Sequence, residues 1–302
     1  MKKTIILLLF LFIVVDTVNA QNFYSNRRDR SWMLSFGAGG SAYQGDLYDI
    51  AYDGFLLSPN FGLGLRKKIG SQLSLRVDLN WYQIGGADSL NQKIGERETA
   101  GGESDSRRKR NLSFKANNLE VSAVFLFNLI PVNNSYTSRA IINPYIFAGV
   151  GITTNEPQAF YENEWHALRP LQTELTPYSG RLMVVPVGIG VRLKATKNID
   201  ILVEAGRRFA FSDYLDDISK DHVDRSQFDV LFGENTEMSQ LAKALSDRSA
   251  EGGFSPSLVG DDRGNPGKDD TYYIFQIRLE MYLPGNAIQR LFSPTRKKPK
   301  FR

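Results

Sequence analysis

The 302-residue chain contains no cysteine, and only two histidines. The first absence rules out disulfides and thiolate metal sites. The second leaves little for imidazole chemistry: His166 and His222 fall in predicted loops, and neither has the spacing of a metal-binding pair. Charge of one sign is also scarce. Lys and Arg total 37 against 33 Asp and Glu, a small and dispersed surplus that does not describe a nucleic-acid surface. Long hydrophobic runs are missing beyond the first residues, so a membrane could be crossed only by strands closed into a barrel.

The N-terminus carries an export pattern. Lys2 and Lys3 precede an apolar run from Thr4 to Val15, and Val18-Asn19-Ala20 places a small residue at a cleavage point. That run is shorter than the ~20 residues of a spanning helix, so the reading is a signal peptide over 1–20 with the mature chain starting at Gln21. No Cys follows, which excludes a lipoprotein. Residues 21–30, with Arg27, Arg28 and Arg30, form a short segment ahead of the first strand.

What is abundant is alternation of period two. In Leu57–Arg66 every odd position is apolar and every even one is Ser, Asn, Gly or Arg, giving one greasy and one wet face. Eight such strands are predicted, over Trp32–Ala42, Leu57–Lys67, Gln72–Tyr82, Asn118–Asn128, Pro144–Thr153, Met183–Lys194, Ile199–Arg208 and Tyr272–Leu283. The wet faces include Arg76, Asp78, Arg192, Arg278 and Glu280, charges that are costly to bury unpaired but can pair inside a narrow barrel. Links after the second and sixth strands are about four residues, and after the fourth about fifteen. Those after the first, third, fifth and seventh are about 14, 35, 29 and 60. Long and short links alternate around an even strand count, as in outer-membrane barrels. The expected fold is therefore an all-β, eight-stranded antiparallel transmembrane barrel over 31–283, located in the outer membrane with both termini in the periplasm. A lipocalin-like soluble barrel is the alternative; it needs the apolar faces inside and the charges outside.

The loops have their own chemistry. Gly85–Asn111, ending in Arg107-Arg108-Lys109-Arg110, reads as a solvated loop. Met238, Leu241, Ala242 and Leu245 recur at helical spacing within Thr236–Ala250, predicting a short amphipathic helix packed on its own loop. Asp213, Asp216 and Asp217 follow the seventh strand, and Asp261, Asp262, Asp269 and Asp270 precede the eighth. They can either converge on Ca²⁺ or form a solvated acidic loop paired with Arg207, Arg208 and Arg263. The second reading is preferred, because no spaced calcium-loop pattern is present. Ser212 and His222 are the nearest approach to a nucleophile and base, without a supporting motif, so no catalytic residue, cofactor or metal is assigned. After Pro284 the tail (284–302) has five basic residues in its last seven. Arg296, Lys297, Lys298, Lys300 and Phe301 form the candidate partner contact, for an acidic periplasmic protein or lipid headgroups.

Four segments together resemble a known family: Gly45-Asp46-Leu47-Tyr48-Asp49, Arg207-Arg208-Phe209-Ala210-Phe211-Ser212-Asp213-Tyr214-Leu215-Asp216-Asp217, Arg263-Gly264-Asn265-Pro266 and Lys297-Lys298-Pro299-Lys300-Phe301. They are similar to the PorG-like outer-membrane barrels of the Bacteroidetes type IX protein secretion system. The resemblance implies a noncatalytic component that anchors or organises the periplasmic ring of a PorK-like lipoprotein and a PorN-like protein. The segment from Arg207 to Asp217 falls on the outer side in this topology, away from that ring, so Arg207, Arg208, Asp213, Tyr214, Asp216 and Asp217 are read as bracing the barrel mouth, the arginines pairing with the aspartates. Eight strands enclose only their own side chains, so cargo must pass elsewhere. A stand-alone barrel for adhesion or small-solute permeation, of the OmpA or OmpW kind, is the other membrane reading.

Overall fold

The computed structural model describes residues 31–48, 56–90, 109–132, 139–267 and 269–284. Among these residues there are ten strands: β1 (Trp32–Gln44), β2 (Ser58–Lys68), β3 (Leu73–Ala87), β4 (Ser113–Asn128), β5 (Ile142–Thr154), β6 (Pro157–Tyr161), β7 (Glu164–Ala167), β8 (Arg181–Lys194), β9 (Ile199–Ala210) and β10 (Thr271–Tyr282). Eight of them close a ring in the order β1, β2, β3, β4, β5, β8, β9, β10, with every neighbouring pair antiparallel. Closure comes from β1 against β10, where Phe36 faces Leu279 and Gly37 faces Arg278. The remaining hairpin, β6–β7, continues the sheet along β4 beyond the end of β5; it lies in the predicted long link and was not foreseen.

The two faces settle the sign of the barrel. Phe61, Val77, Val121, Val150, Ile189 and Ile277 point outward and are about half exposed or more, Ile189 at 65%. Between them Ser35, Arg66, Arg76, Asp78, Glu120, Arg192, Asp200, Glu204, Arg278 and Glu280 point inward and are buried. This is the inverse of a lipocalin, whose ligand cavity is apolar, and the soluble alternative fails on it. Strands of 11 to 16 residues exceed the ~10 that a tilted strand needs to cross a bilayer.

Strands β3 and β4 run five residues further from the short turns than alternation predicts, and the reason is a phase slip. Along β3 the apolar set changes from Leu75, Val77, Leu79 and Trp81, which face out, to Tyr82 and Ile84, which face in. Along β4 it changes from Phe114 and Ala116 inside to Leu119, Val121 and Phe125 outside. The slip is in the apolar pattern and not in the strands, whose inward and outward positions alternate without a break. Where it occurs, the outer wall becomes polar (Gln83, Lys115, Asn117) and the lumen becomes apolar.

The interior thus has two parts. The half nearest the short turns is filled by stacked ion pairs. Arg66 grips Glu280 through two bonds of 2.6 and 2.8 Å. Deeper in, Arg278 meets Asp78 at 2.7 Å, and Arg76 meets Asp78 at 2.7 Å and also Glu204. Nearest the long loops, Glu120 accepts from Tyr272 at 2.7 Å with Arg208 at 3.5 Å. Above that lies the main apolar core, built from Tyr43, Tyr82, Ile84, Phe114, Tyr272 and Ile274 of the strands, and from Leu215, Ile218, Phe228, Ala242 and Leu245 of the link 211–270.

That link holds two helices, α1 (Gln227–Phe232) and α2 (Glu237–Ser246). Thr236 caps α2 by accepting from the Ser239 N–H at 3.2 Å, satisfying one of the free donors of the first turn. The predicted helix is present, but it does not pack on its own loop alone, since Ala242 and Leu245 enter the core over the barrel. The mouth is therefore plugged by folded chain.

Candidate functional site

Three of the four segments singled out from sequence meet at this plugged mouth. Asp46, after β1, accepts from the backbone N–H of Asn265 at 2.8 Å. Its own carbonyl accepts from Arg110 at 3.1 Å, and Arg110 also holds Asp88 through bonds of 2.7 and 3.0 Å and donates to the Arg263 carbonyl. Arg263 is buried and donates to Glu174 at 2.6 Å and to the carbonyl of Asp217 at 2.8 Å. Glu174 spends its other bonds on the Ser219 and Lys220 N–H groups. Two arginines and three carboxylates thus tie the links after β1, β3, β7 and β9 together.

Tyr43 stands at the centre. Its hydroxyl lies 2.6 Å from Asp216 Oδ2 and 2.9 Å from Asp270 Oδ1. A hydroxyl has one proton to donate, so the trio is best satisfied when a carboxyl carries a proton as well. Burial pushes both carboxyl groups well above the usual range, with Asp46 adding to the rise at Asp216, and Asp216 and Asp213 at Asp270. Burial also raises Asp213 to about 7; Ser219 opposes the rise, and Asp46, Asp269 and Glu174 reinforce it. Asp217 is raised to about 6 by burial, against the pull of Arg263 and of hydrogen bonds from Thr173 and Tyr178. Tyr214 stacks on Tyr178 at 4.9 Å.

Several expectations are corrected here. The aspartates are not a solvated acidic loop: Asp216, Asp217 and Asp270 are each 1% exposed. Arg207 and Arg208 do not pair with them. Arg207 lies over the rings of Phe209 and Tyr273 on the outer wall, and Arg208 turns into the lumen toward Glu120. Adjacent strand residues face opposite ways, so the two arginines could not both have reached one cluster. The pairing with Arg263 is present. Arg110 is buried in the clasp and is not part of a solvated basic run; its neighbours Arg107 and Arg108 lie outside the described residues. Asp261 and Asp262 are exposed, and among the described residues no set of three acidic or imidazole side chains is arranged to hold a metal ion.

The other sequence candidates do not converge on this cluster. Ser212 accepts from the Tyr214 N–H at 3.2 Å, and no hydrogen bond joins it to His222 among the described residues. His222 is pushed down to about 4 by burial and by Arg263, so it is neutral at ordinary pH. His166 sits on β7. Arg296, Lys297, Lys298, Lys300 and Phe301, and the segment 1–30, lie outside the described residues. Missed from sequence were Tyr43, Asp88 and Glu174, whose partners lie 22 to 227 positions away; only the phase slip, by marking where the lumen turns apolar, announced a capped mouth.

The family described as a domain of unknown function (DUF6089) matches residues 5–238. No curated protein matches the chain. Among solved structures it is similar to Neisserial surface protein A (9% identity, covering 84% of this chain and 98% of that one, TM-score 0.40). It is also similar to a major outer membrane protein of Thermus thermophilus (9%, 83% and 99%, 0.39) and to the attachment invasion locus protein Ail of Yersinia pestis (9%, 83% and 97%, 0.36). The barrel itself rests on the strand pairing described above.

Proposed function

We propose, from the premise that the chain belongs to the DUF6089 family, that it is a noncatalytic anchor of the outer membrane. In this reading it organises a periplasmic assembly of the type IX secretion machinery. The observation that carries the proposal is the filled interior. Ion pairs occupy the lumen, and a folded lid with an apolar core closes the long-loop end. Among the described residues a lumen filled in this way leaves little room for a solute, so small-molecule permeation is the poorer alternative. What remains is a rigid body held in the bilayer with two aqueous ends.

The short-turn end faces the periplasm in this reading, with the N-terminal segment and the basic tail beside it. The ring proteins, a PorK-like lipoprotein and a PorN-like protein, would dock there through Arg296, Lys297, Lys298, Lys300 and Phe301. Adhesion is the second reading, favoured by Val230, Leu258 and Val259, which are 87%, 72% and 69% exposed on the long link. A mild-detergent pull-down from outer membranes tests the choice, comparing the full chain with one ending at Gly285. Ring components recovered with the full chain and lost with the truncated one support anchorage through the tail. Recovery with both moves the contact to the short turns. Recovery with neither leaves adhesion as the better reading.

A further inference from the structure

The ion pairs of the lumen do not balance at every level. Near the long loops Arg208 faces Glu120, and in the middle Arg76 and Arg278 face Asp78 and Glu204. Nearest the short turns, the carboxylates paired with Arg66, Arg139 and Arg192 among the described residues are those of Glu280 and Asp200. Arg139 is committed: it donates to Asp200 and to the carbonyls of Thr196 and Lys197. Arg66 is committed to Glu280 and Ser74. The surplus falls on Arg192, 3% exposed, whose Nη1 donates to Asn128 at 2.6 Å. Its Nε lies 3.4 Å from Glu280 and 3.7 Å from Asp200, beyond good hydrogen-bond length, and neither Nε nor Nη2 has a hydrogen-bond partner among the described residues.

A cavity of about 10 Å³ adjoins it, lined among others by Arg66, Lys68, Ser71, Ser74, Asn128 and Arg192. No carboxylate of the described residues lines it. That is room for one water-sized species, in a wall that includes three cations and the hydroxyl residues Ser71, Ser74 and Tyr282. A buried guanidinium with unused donors is costly, and water in the cavity would supply acceptors without removing the charge. A chloride-sized anion would supply both. We propose that this cavity at the short-turn end is a binding site for a single compact monovalent anion, the counter-ion of Arg192, with Lys68 and the serine hydroxyls completing its shell.

Two measurements on the refolded full chain test the site. The first is crystallographic, with bromide in place of chloride. An anomalous peak in the cavity, within hydrogen-bonding reach of Arg192, is expected, and a cavity without bromide overturns the proposal. The second compares thermal unfolding in sodium chloride and in sodium gluconate of equal ionic strength, gluconate being too large to enter. The midpoint of the wild-type chain is expected to fall in gluconate, and that of Arg192→Gln to stay. Equal responses of the two chains, or no response in either, would mean that halide acts elsewhere or nowhere. Where Arg192→Gln does not fold, Lys68→Gln takes its place, with a halide effect smaller than that of wild type expected; an undiminished effect overturns the proposal.

Discussion

The charge imbalance beside the short turns makes the two halves of one ion pair unequal. Arg66 and Glu280 are 3% and 0% exposed and share two hydrogen bonds, so deleting either partner would by itself cost about 3–5 kcal/mol. Their neighbours break the symmetry. Arg66→Met leaves Glu280 with Arg192, whose Nε is already 3.4 Å away, and brings the level to neutrality. Its cost should therefore stay near that of the lost charged hydrogen bonds, about 1.5–3 kcal/mol. Glu280→Gln leaves Arg66, Arg139 and Arg192 against Asp200 alone. An added unit of like-charge repulsion at about 5 Å, with an effective dielectric near 20, is worth about 3 kcal/mol, and this comes on top of the lost bonds. Glu280→Gln is thus expected to be the more damaging by about 2–3 kcal/mol. Urea unfolding in phospholipid vesicles measures it, followed by the fluorescence of Trp32, Trp81 and Trp165. Equal costs, or the larger loss for Arg66→Met, would refute the charge count.

Other expectations follow from the same geometry. Ile189→Arg, on the lipid-facing wall, should cost about 2–4 kcal/mol in vesicles, whereas Lys115→Ala, above the phase slip, should change stability by less than about 0.5 kcal/mol; a tolerated arginine at 189 would argue against a membrane-spanning belt. Gly149→Ala places a Cβ 2.1 Å from the Ala123 carbonyl oxygen and should cost about 1–3 kcal/mol or prevent the gel-mobility shift of the folded barrel; wild-type behaviour would contradict that close approach. Because the folded-state value of Asp213 lies above its ordinary 3.8, at about 7, the folded mouth binds the proton more tightly than the unfolded chain. Its contribution is present below about pH 4 and is lost as pH rises toward 7 and beyond. Amide exchange of the lid at pH 5 and 7.5 should therefore show a larger loss of protection with rising pH in wild type than in Asp213→Asn; identical slopes would remove Asp213 from the linkage.

Legibility in the sequence follows the range of the forces. Alternation is local, and it placed all eight ring strands, because the bilayer demands an apolar outer face along each one. It stopped short at β3 and β4, where Tyr82, Ile84, Phe114 and Ala116 obey the opposite phase for a different solvent, the lid. The mouth was harder. Gly45-Asp46, Asp213–Asp217 and Arg263–Asn265 stood out as segments, but the choice of partner depends on contacts across the ring. Arg207 and Arg208 illustrate the limit. Their charge made the aspartates natural partners, while strand alternation sent one to aromatic rings on the outer wall and the other to Glu120. The β6–β7 hairpin escaped notice because Phe160 and Trp165, whose rings meet at a tilt with centroids 5.3 Å apart, sit on two strands too short for a periodic signal.

The lumenal ion pairs join residues far apart in the chain: Arg76 meets Glu204 across 128 positions, and Arg66 meets Glu280 across 214. Arg278 and Glu280 both arrive with the last strand. A chain inserted without β10 would therefore lack more than one hydrogen-bonded seam. It would leave Arg66 without its carboxylate and Asp78 with Arg76 alone, in a ring that is still open. Closing the ring and completing the ion pairs of Arg66 and Arg278 therefore belong to the same step, and a chain clipped before β10 lacks both. The polar filling thus makes the last strand a condition of a paired interior as well as of a closed wall.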